Sequence, residues 1–349
     1  MLKIIGTMSG TSCDGIDVAL IETDGESKLK LKGGMVIPYE SSFSTVLKNI
    51  YKENDYKKVI KLEKALTEYH ANAIKRFLNT NDINASEIDL IGFHGHTVFH
   101  NPGEGLTWQI GNANLLAELT GRLVASDFRR RDIAAGGQGA PLVPVFHQAL
   151  ARSLGLNNTI FLNIGGVSNI TYIDKEEIIA FDAGPGNAII DDFLYKRAAI
   201  SYDEGGKIGA RGKVDFEVVR TFQKDVFYNS SIPKSLDRNH FNYIDLNFAN
   251  LEDGAATLTY ITADFIKKSF KILNREVKQI IVCGGGRKNK FLMGLLEEVK
   301  QIDEYSVDGD LIEAYAFGYL AARTVKKLPI SYPTTTGVKT PKSGGTLVL

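Results

Sequence analysis

Cysteine is nearly absent from this chain of 349 residues, and tryptophan occurs once. Cys13 and Cys283 lie far apart with no CxxC spacing, which excludes a disulfide framework or a cysteine zinc site. Neither charge is in excess: Lys+Arg and Asp+Glu are both 41, for a formal net charge of zero. A general nucleic-acid binder or anionic-membrane binder needs a basic surplus, so neither partner is expected, although a local basic patch is not excluded. No apolar run reaches the ~18 residues of a membrane-spanning helix. The first residues are strand-like, without a basic segment leading into an apolar one, so no signal peptide and a cytoplasmic location are expected. Two phosphate-binding signatures are also missing. There is no G-x-x-x-x-G-K-[ST], and no G-x-G-x-x-G opens a helix after a strand.

What is present suits a sizeable globular core: 44% hydrophobic and 23% charged residues. The length predicts two domains. "IIGTMSGTSCDGIDVALIETDG" (4–25) reads as strand, polar tip, strand, and 28–36 supplies a third strand. Helical spacing of Ile50, Val59, Leu62, Leu66 and Ala73 predicts helix across 42–79. A buried strand at 88–100 leads into a loop, and a short helix ends at Gly121 as C-cap. A short strand and a long Gly-rich connection cover 122–144, and a helix covers 147–154. At Thr159 the organisation restarts with a second hairpin (159–174). A strand with a Gly-Pro-Gly turn and a helix follow (177–194), then a strand, a triple-glycine turn and a helix (278–299). The Gly/Thr/Ser-rich C-terminus is expected to return to the first lobe. Two related α/β lobes are thus predicted, residues 1–125 with 334–349 and residues 126–333.

Four Gly-rich turns follow apolar strands: 9–14, 165–168, 184–186 and 284–286. Glycine lets backbone N–H groups approach an anion. One such turn is ordinary turn chemistry, whereas four together favour a phosphate ligand. Two hairpins gripping phosphates from two lobes, with a third turn at the purine, are similar to the sugar kinase/Hsp70/actin superfamily. The expected fold is therefore a two-lobed actin-like ATPase, each lobe a mixed sheet flanked by helices.

The motifs "GTMSGTSCDGID", "GFHGHTVFH", "TWQIGN", "SDFRRRDIAAGGQGAPLVP", "NIGGVSNIT", "FDAGPGN" and "EAYAFGYLA" sharpen this. Their order resembles the anhydro-N-acetylmuramic acid kinase family over residues 6–321. The resemblance implies an enzyme of cell-wall recycling. It would open 1,6-anhydro-N-acetylmuramic acid with water and phosphorylate O6 from ATP, giving N-acetylmuramic acid 6-phosphate and ADP. Another sugar kinase acting on a free hydroxyl and a non-sugar actin/Hsp70-like ATPase are the alternatives.

The first phosphate hairpin would comprise Ser9, Gly10, Thr11, Ser12, Cys13, Asp14, Gly15, Ile16 and Asp17. Gly165, Gly166 and Ser168 would form the second, and Gly284, Gly285 and Gly286 the adenosine turn. Asn289 reads equally as helix N-cap or base contact. Asp14 either holds Mg²⁺ through water or closes an Asx-turn. Asp182 either caps its turn or, as the resemblance implies, is the catalytic base. His94, His96 and His100 invite a zinc reading, but no acidic or cysteine set surrounds them. The resemblance instead implies that His94 and Thr97 line the sugar pocket. Arg129 or Arg130 suits the lactyl carboxylate of the sugar, since a guanidinium fork matches a carboxylate. Glu313 is either a first-turn helix residue or, by the resemblance, a sugar ligand. The oligomeric state stays open, a homodimer being one option.

Overall fold

The structure is a computed structural model and describes residues 1–10, 12–244 and 246–349. The chain forms two units, one of residues 1–155 with 310–349 and one of residues 156–309. Both are α/β. Along the chain the first unit builds β1 (Leu2–Ser9), β2 (Gly15–Thr23), β3 (Leu29–Pro38), α1 (Ser41–Lys48), α2 (Tyr56–Thr80), β4 (Leu90–Asn101), β5 (Leu106–Ile110), α3 (Ala113–Thr120), β6 (Leu123–Ser126), α4 (Arg130–Ala134) and α5 (Pro144–Leu154). The second unit holds β7 (Thr159–Ile164), β8 (Val167–Asp174), β9 (Glu177–Pro185), α6 (Ala188–Ala198), α7 (Phe216–Gln223), α8 (Val226–Asn229), α9 (Leu251–Leu273), β10 (Gln279–Cys283), α10 (Lys290–Leu296) and β11 (Val299–Gln301). The chain then returns to the first unit as α11 (Ile312–Val325), β12 (Pro329–Ser331), β13 (Lys342–Ser343) and β14 (Thr346–Val348).

The first sheet runs β14-β6-β4-β1-β2-β3, with β5 paired to β4. The second runs β11-β10-β7-β8-β9. In each, three consecutive strands form an antiparallel meander, and later strands join the first of them in parallel. This repeated pattern, a mixed sheet with helices packed on it, is the expected two-lobed architecture. The C-terminal strand β14 pairs antiparallel with β6, so the tail does return to the first unit.

Several boundaries differ from the sequence reading. Residues 126–155 and 310–333, expected in the second lobe, belong to the first unit. The reason lies at α11, which packs on β1 and β4 at two glycines. A Cβ on Gly6 would stand 1.8 Å from the Ala314 carbonyl oxygen, and one on Gly92 2.2 Å from that of Phe317. Only glycine admits so close a helix. The helical stretch at 42–79 is broken, because Asp55 caps a new helix by accepting from the Lys57 N–H at 2.9 Å. From there α2 buries Val59, Leu62, Leu66, Ile74 and Phe77 at helical spacing. β5 and α4 replace expected loop. Among the described residues, no helix is long and apolar enough to cross a membrane.

The close approach at Gly6 can be tested against a glycine that needs only its backbone angle. Gly121 caps α3 at φ +63° with open space around it. Urea denaturation should show Gly6→Ala losing about 3 kcal/mol through overpacking. Gly121→Ala should lose about 1 kcal/mol, the cost of a left-handed conformation. Equal losses would contradict the packing argument.

Candidate active site

In the first unit the β1–β2 tip is braced from within. The Cys13 N–H donates to the Gly10 carbonyl at 3.0 Å, and Cys13 takes a left-handed φ of 53°. Its thiol is 2% exposed, packs in the core and is pushed up to about 11 by burial. Ile16 is equally buried, so neither side chain is offered to a ligand. Gly15 packs against the Ile37 carbonyl, and Asp17 pairs across the sheet with Met8 and Val36. Ser9, expected on phosphates, is 1% exposed, and its hydroxyl is engaged internally. Tyr39 donates to it at 2.8 Å, and His96 Nδ1 lies 3.1 Å away. Ser9 therefore braces the hairpin. Gly10, Ser12 and Asp14 form the outer part of the tip, with Ser12 Oγ donating to Asp14 Oδ1 at 2.7 Å. Thr11 lies outside the described residues.

A second group in this unit is built from β4, the segment around Arg129, and α11. The Arg129 Nε–H donates to His94 Nε2 at 3.0 Å, and its Nη1 donates to the Gly139 carbonyl at 2.8 Å. Because the guanidinium can only donate, His94 must carry its proton on Nδ1, 3.1 Å from the Gly95 carbonyl. Burial, and then the Arg129 charge, hold His94 well below its usual range, so it is neutral. Its ring rests 4.3 Å from that of Phe317 on α11. At the start of α11, burial raises the Glu313 carboxyl while the charge of Arg129 opposes the shift. Arg130, by contrast, is exposed, with Asp127 as its neighbour at 3.7 Å. Thr97 accepts from Gln109 Nε2 at 3.3 Å, and His100 pairs with Thr107 at 2.9 Å. The three histidines thus turn to three different partners. Among the described residues, no group of three or more His, Cys, Asp or Glu could hold a metal ion.

In the second unit the β7–β8 tip is tied to the turn after β9. The Gly186 N–H donates to the Gly166 carbonyl at 3.0 Å, and the Asn187 N–H donates to that of Gly165 at 2.8 Å. Ser168 is fully buried, and its hydroxyl is committed to the Gly184 and Pro185 carbonyls, both at 3.0 Å. It secures the turn, leaving the two glycines as the accessible part of the tip. In the triple-glycine turn, Gly284 lies at φ +78° against Asn163 and Ile164, and Gly286 lies against Ile164, whereas Gly285 faces open space. Asn289 proves to be a cap, accepting from the Leu292 N–H at 2.9 Å.

Asp182 lies in the second half of β9, opposite Asn169 of β8. Its Oδ2 accepts from the Leu236 N–H at 2.8 Å, and its own N–H donates to the Lys234 carbonyl at 2.9 Å. Burial pushes its carboxyl up to about 7, against the pull of the Leu236 amide and the Lys234 charge. Lys234 is buried, its Nζ 4.2 Å from the centre of the Phe227 ring, and burial pulls it down to about 8. Asp191, in the first turn of α6, is also pushed up to about 7, by burial and then by repulsion from Asp192. Sequence reasoning missed Lys234, Leu236 and Asp191. The first two reach Asp182 from about fifty positions away with no motif spacing. Asp191 reads as an ordinary first-turn acid, favoured by the helix dipole.

Chemically, the first unit offers a donor fork beside a neutral imidazole and a half-buried carboxyl. The second offers a carboxylate able to gain or lose a proton near neutrality. The family profile described as anhydro-N-acetylmuramic acid kinase matches residues 2–349. Curated relatives carry the same name. One from Nitrobacter winogradskyi is 44% identical over 99% of each chain, and one from Paramagnetospirillum magneticum is 41% identical over 98% of each. Among solved structures, component A of the Acidaminococcus fermentans (R)-2-hydroxyglutaryl-CoA dehydratase superposes with a TM-score of 0.49 at 12% identity, covering 94% of this chain and 100% of that one. With a profile matched along nearly the whole sequence and relatives matched end to end, the chain belongs to the anhydro-N-acetylmuramic acid kinase family.

Proposed function

We propose that Asp182 is the base in the reaction that family membership assigns to this chain. That reaction is the opening of 1,6-anhydro-N-acetylmuramic acid by water, with transfer of the ATP γ-phosphoryl group to O6. The products are N-acetylmuramic acid 6-phosphate and ADP. The observation that carries this reading is the Asp182 carboxylate, poised near neutrality and oriented by a single backbone amide. A general base works best when its pKa lies near the operating pH. Asp182 takes a proton from water as that water attacks C1. The C1–O6 bond breaks, and O6 receives the phosphoryl group. The departing oxygen is also the acceptor, so a second protein carboxylate is not required, unlike the acid pair of ordinary glycosidases.

Arg129, oriented by His94 and Gly139, is the group proposed to meet the lactyl carboxylate, with Glu313 and Thr97 on sugar hydroxyls. Arg130 is turned outward and is not proposed for that task. Backbone N–H groups of the tips at 10–14 and 165–166 are proposed to hold the phosphates, and the turn at 284–286 the adenosine. The first tip contains no Lys or Arg. This fits a Mg²⁺ ion arriving with the nucleotide, held by the exposed Asp14 through water. Such an ion would offset the negative charge of the phosphates during transfer. A cytoplasmic location, where ATP is available, is part of the same proposal.

Asp182→Asn should lower kcat at least about 10³-fold while calorimetric ATP binding stays at the wild-type value. Turnover near the wild-type level would sink the assignment. In H₂¹⁸O, early product should carry the label at C1, whereas phosphorylation of a free hydroxyl would leave it unlabelled.

The pH dependence has a definite sign. Only ionised Asp182 accepts a proton, so kcat/KM should climb with pH through about 7. Lys234→Met removes a nearby positive charge and should move that limb to higher pH. For stability, a carboxyl held at about 7 when folded and at ~3.9 when unfolded loses folding free energy as pH rises between those values. Thermal melts should therefore show Asp182→Asn gaining on wild type at pH 8 and not at pH 4.

A further inference from the structure

Asp132 is 1% exposed in the first unit, far more buried than an aspartate tolerates without partners. Its Oδ2 accepts from the Gly139 N–H at 2.7 Å. Its Oδ1 accepts from the hydroxyls of Ser331 and Thr336, the latter at 2.8 Å. All three donors are neutral. The glycine-rich segment 136–139 wraps directly on this carboxylate. A Cβ on Gly137 would fall 2.2 Å from Oδ2, and the Gly137 N–H donates to the Asp132 carbonyl at 2.9 Å. From the other side, the Gln138 N–H donates to the Thr336 carbonyl at 2.8 Å. Gly139 itself takes φ +68°. The segment is thereby fixed residue by residue, and the Gly139 carbonyl is presented at one place. There it accepts from Arg129 Nη1, whose Nε is bound to His94.

We infer that Asp132 is a positioning residue for the sugar site. It holds the Gly139 carbonyl so that the Arg129 guanidinium is aimed, with the rest of its fork directed to the carboxylate of the substrate. This rests on the proposed role of Arg129. Both Asn and Ala remove the charge of Asp132, which attracts Arg129, so the difference between them reports the geometry of its hydrogen bonds. In Asp132→Asn the amide oxygen can face the Gly139 N–H, which can only donate. The NH₂ can face the Ser331 and Thr336 hydroxyls, which can turn to accept. Asp132→Ala leaves the Gly139 N–H and both hydroxyls buried and unmet, and releases the loop.

Initial-rate kinetics with both substrates test the inference on the full chain. Asp132→Ala should raise the KM for the anhydrosugar about tenfold or more and leave the KM for ATP unchanged. Asp132→Asn should stay within about threefold of wild type. Thr336→Val removes one donor at constant volume and should raise the sugar KM about threefold. It carries the test if the alanine variant does not fold by circular dichroism. Arg129→Met is measured alongside. If its sugar KM is unchanged, the Arg129 reading falls and takes this inference with it. If Arg129→Met raises the sugar KM while Asp132→Ala and Thr336→Val match wild type, the positioning role alone is overturned. Equal rises for sugar and ATP across the Asp132 and Thr336 variants would also overturn it, since they mark a merely structural role.

Discussion

A helix lying directly on a sheet, at two positions where no side chain intervenes, governs the first unit. Gly6 on β1 and Gly92 on β4 let the backbone of α11 approach to a distance that any Cβ would forbid. Dispersion and apolar burial grow with such contact. The consequence reaches the site, because α11 carries Glu313 on its first turn and Phe317 on its second. Phe317 supports the ring of His94, and His94 receives the guanidinium of Arg129. The groups that would meet a sugar are therefore set by the seating of one helix, which arrives from the far end of the chain. The glycine-rich segment at 136–139 acts on Arg129 from its other side.

The second unit solves a different problem. Asp182 lies on the last strand of a meander whose tip is tied to the following turn through Gly165 and Gly166. A carboxylate in that place loses hydration, and among the described residues one amide and one partly desolvated lysine offset the loss. The protein keeps its carboxyl poorly compensated, which raises its basicity at a cost in stability. Such a trade is characteristic of groups selected for chemistry rather than for folding.

Much of this was legible in the residues. The two hairpins could be read because alternating apolar residues flank small polar tips. Asp182 is singled out by the resemblance of its motif, since an acid before Gly-Pro-Gly reads by itself equally as a turn cap, and its role as base is a proposal. Motif position already leans to Arg129 over Arg130, and the structure adds that Arg129 donates to His94 and Gly139 whereas Arg130 is exposed. Nothing in the sequence showed where the Ser9 and Ser168 hydroxyls are engaged. A serine at a hairpin tip resembles a phosphate ligand, but here the Ser9 hydroxyl accepts from Tyr39 and that of Ser168 donates to carbonyls of β9. The lobe boundaries were illegible because α11 belongs to a sheet laid down hundreds of residues earlier. Nothing in local periodicity records which sheet a helix covers.

The tautomer of His94 has a consequence for how the molecule meets acid. Its Nε2 is occupied by a donor that never releases its proton, so a second proton could enter only by displacing Arg129. The imidazole is thereby removed from the set of groups that respond to ordinary changes of pH. It therefore stays neutral across the range in which Asp182, in the other unit, gains or loses its proton. On the proposed roles, acid would protonate the base while leaving the contact between His94 and Arg129 as it is.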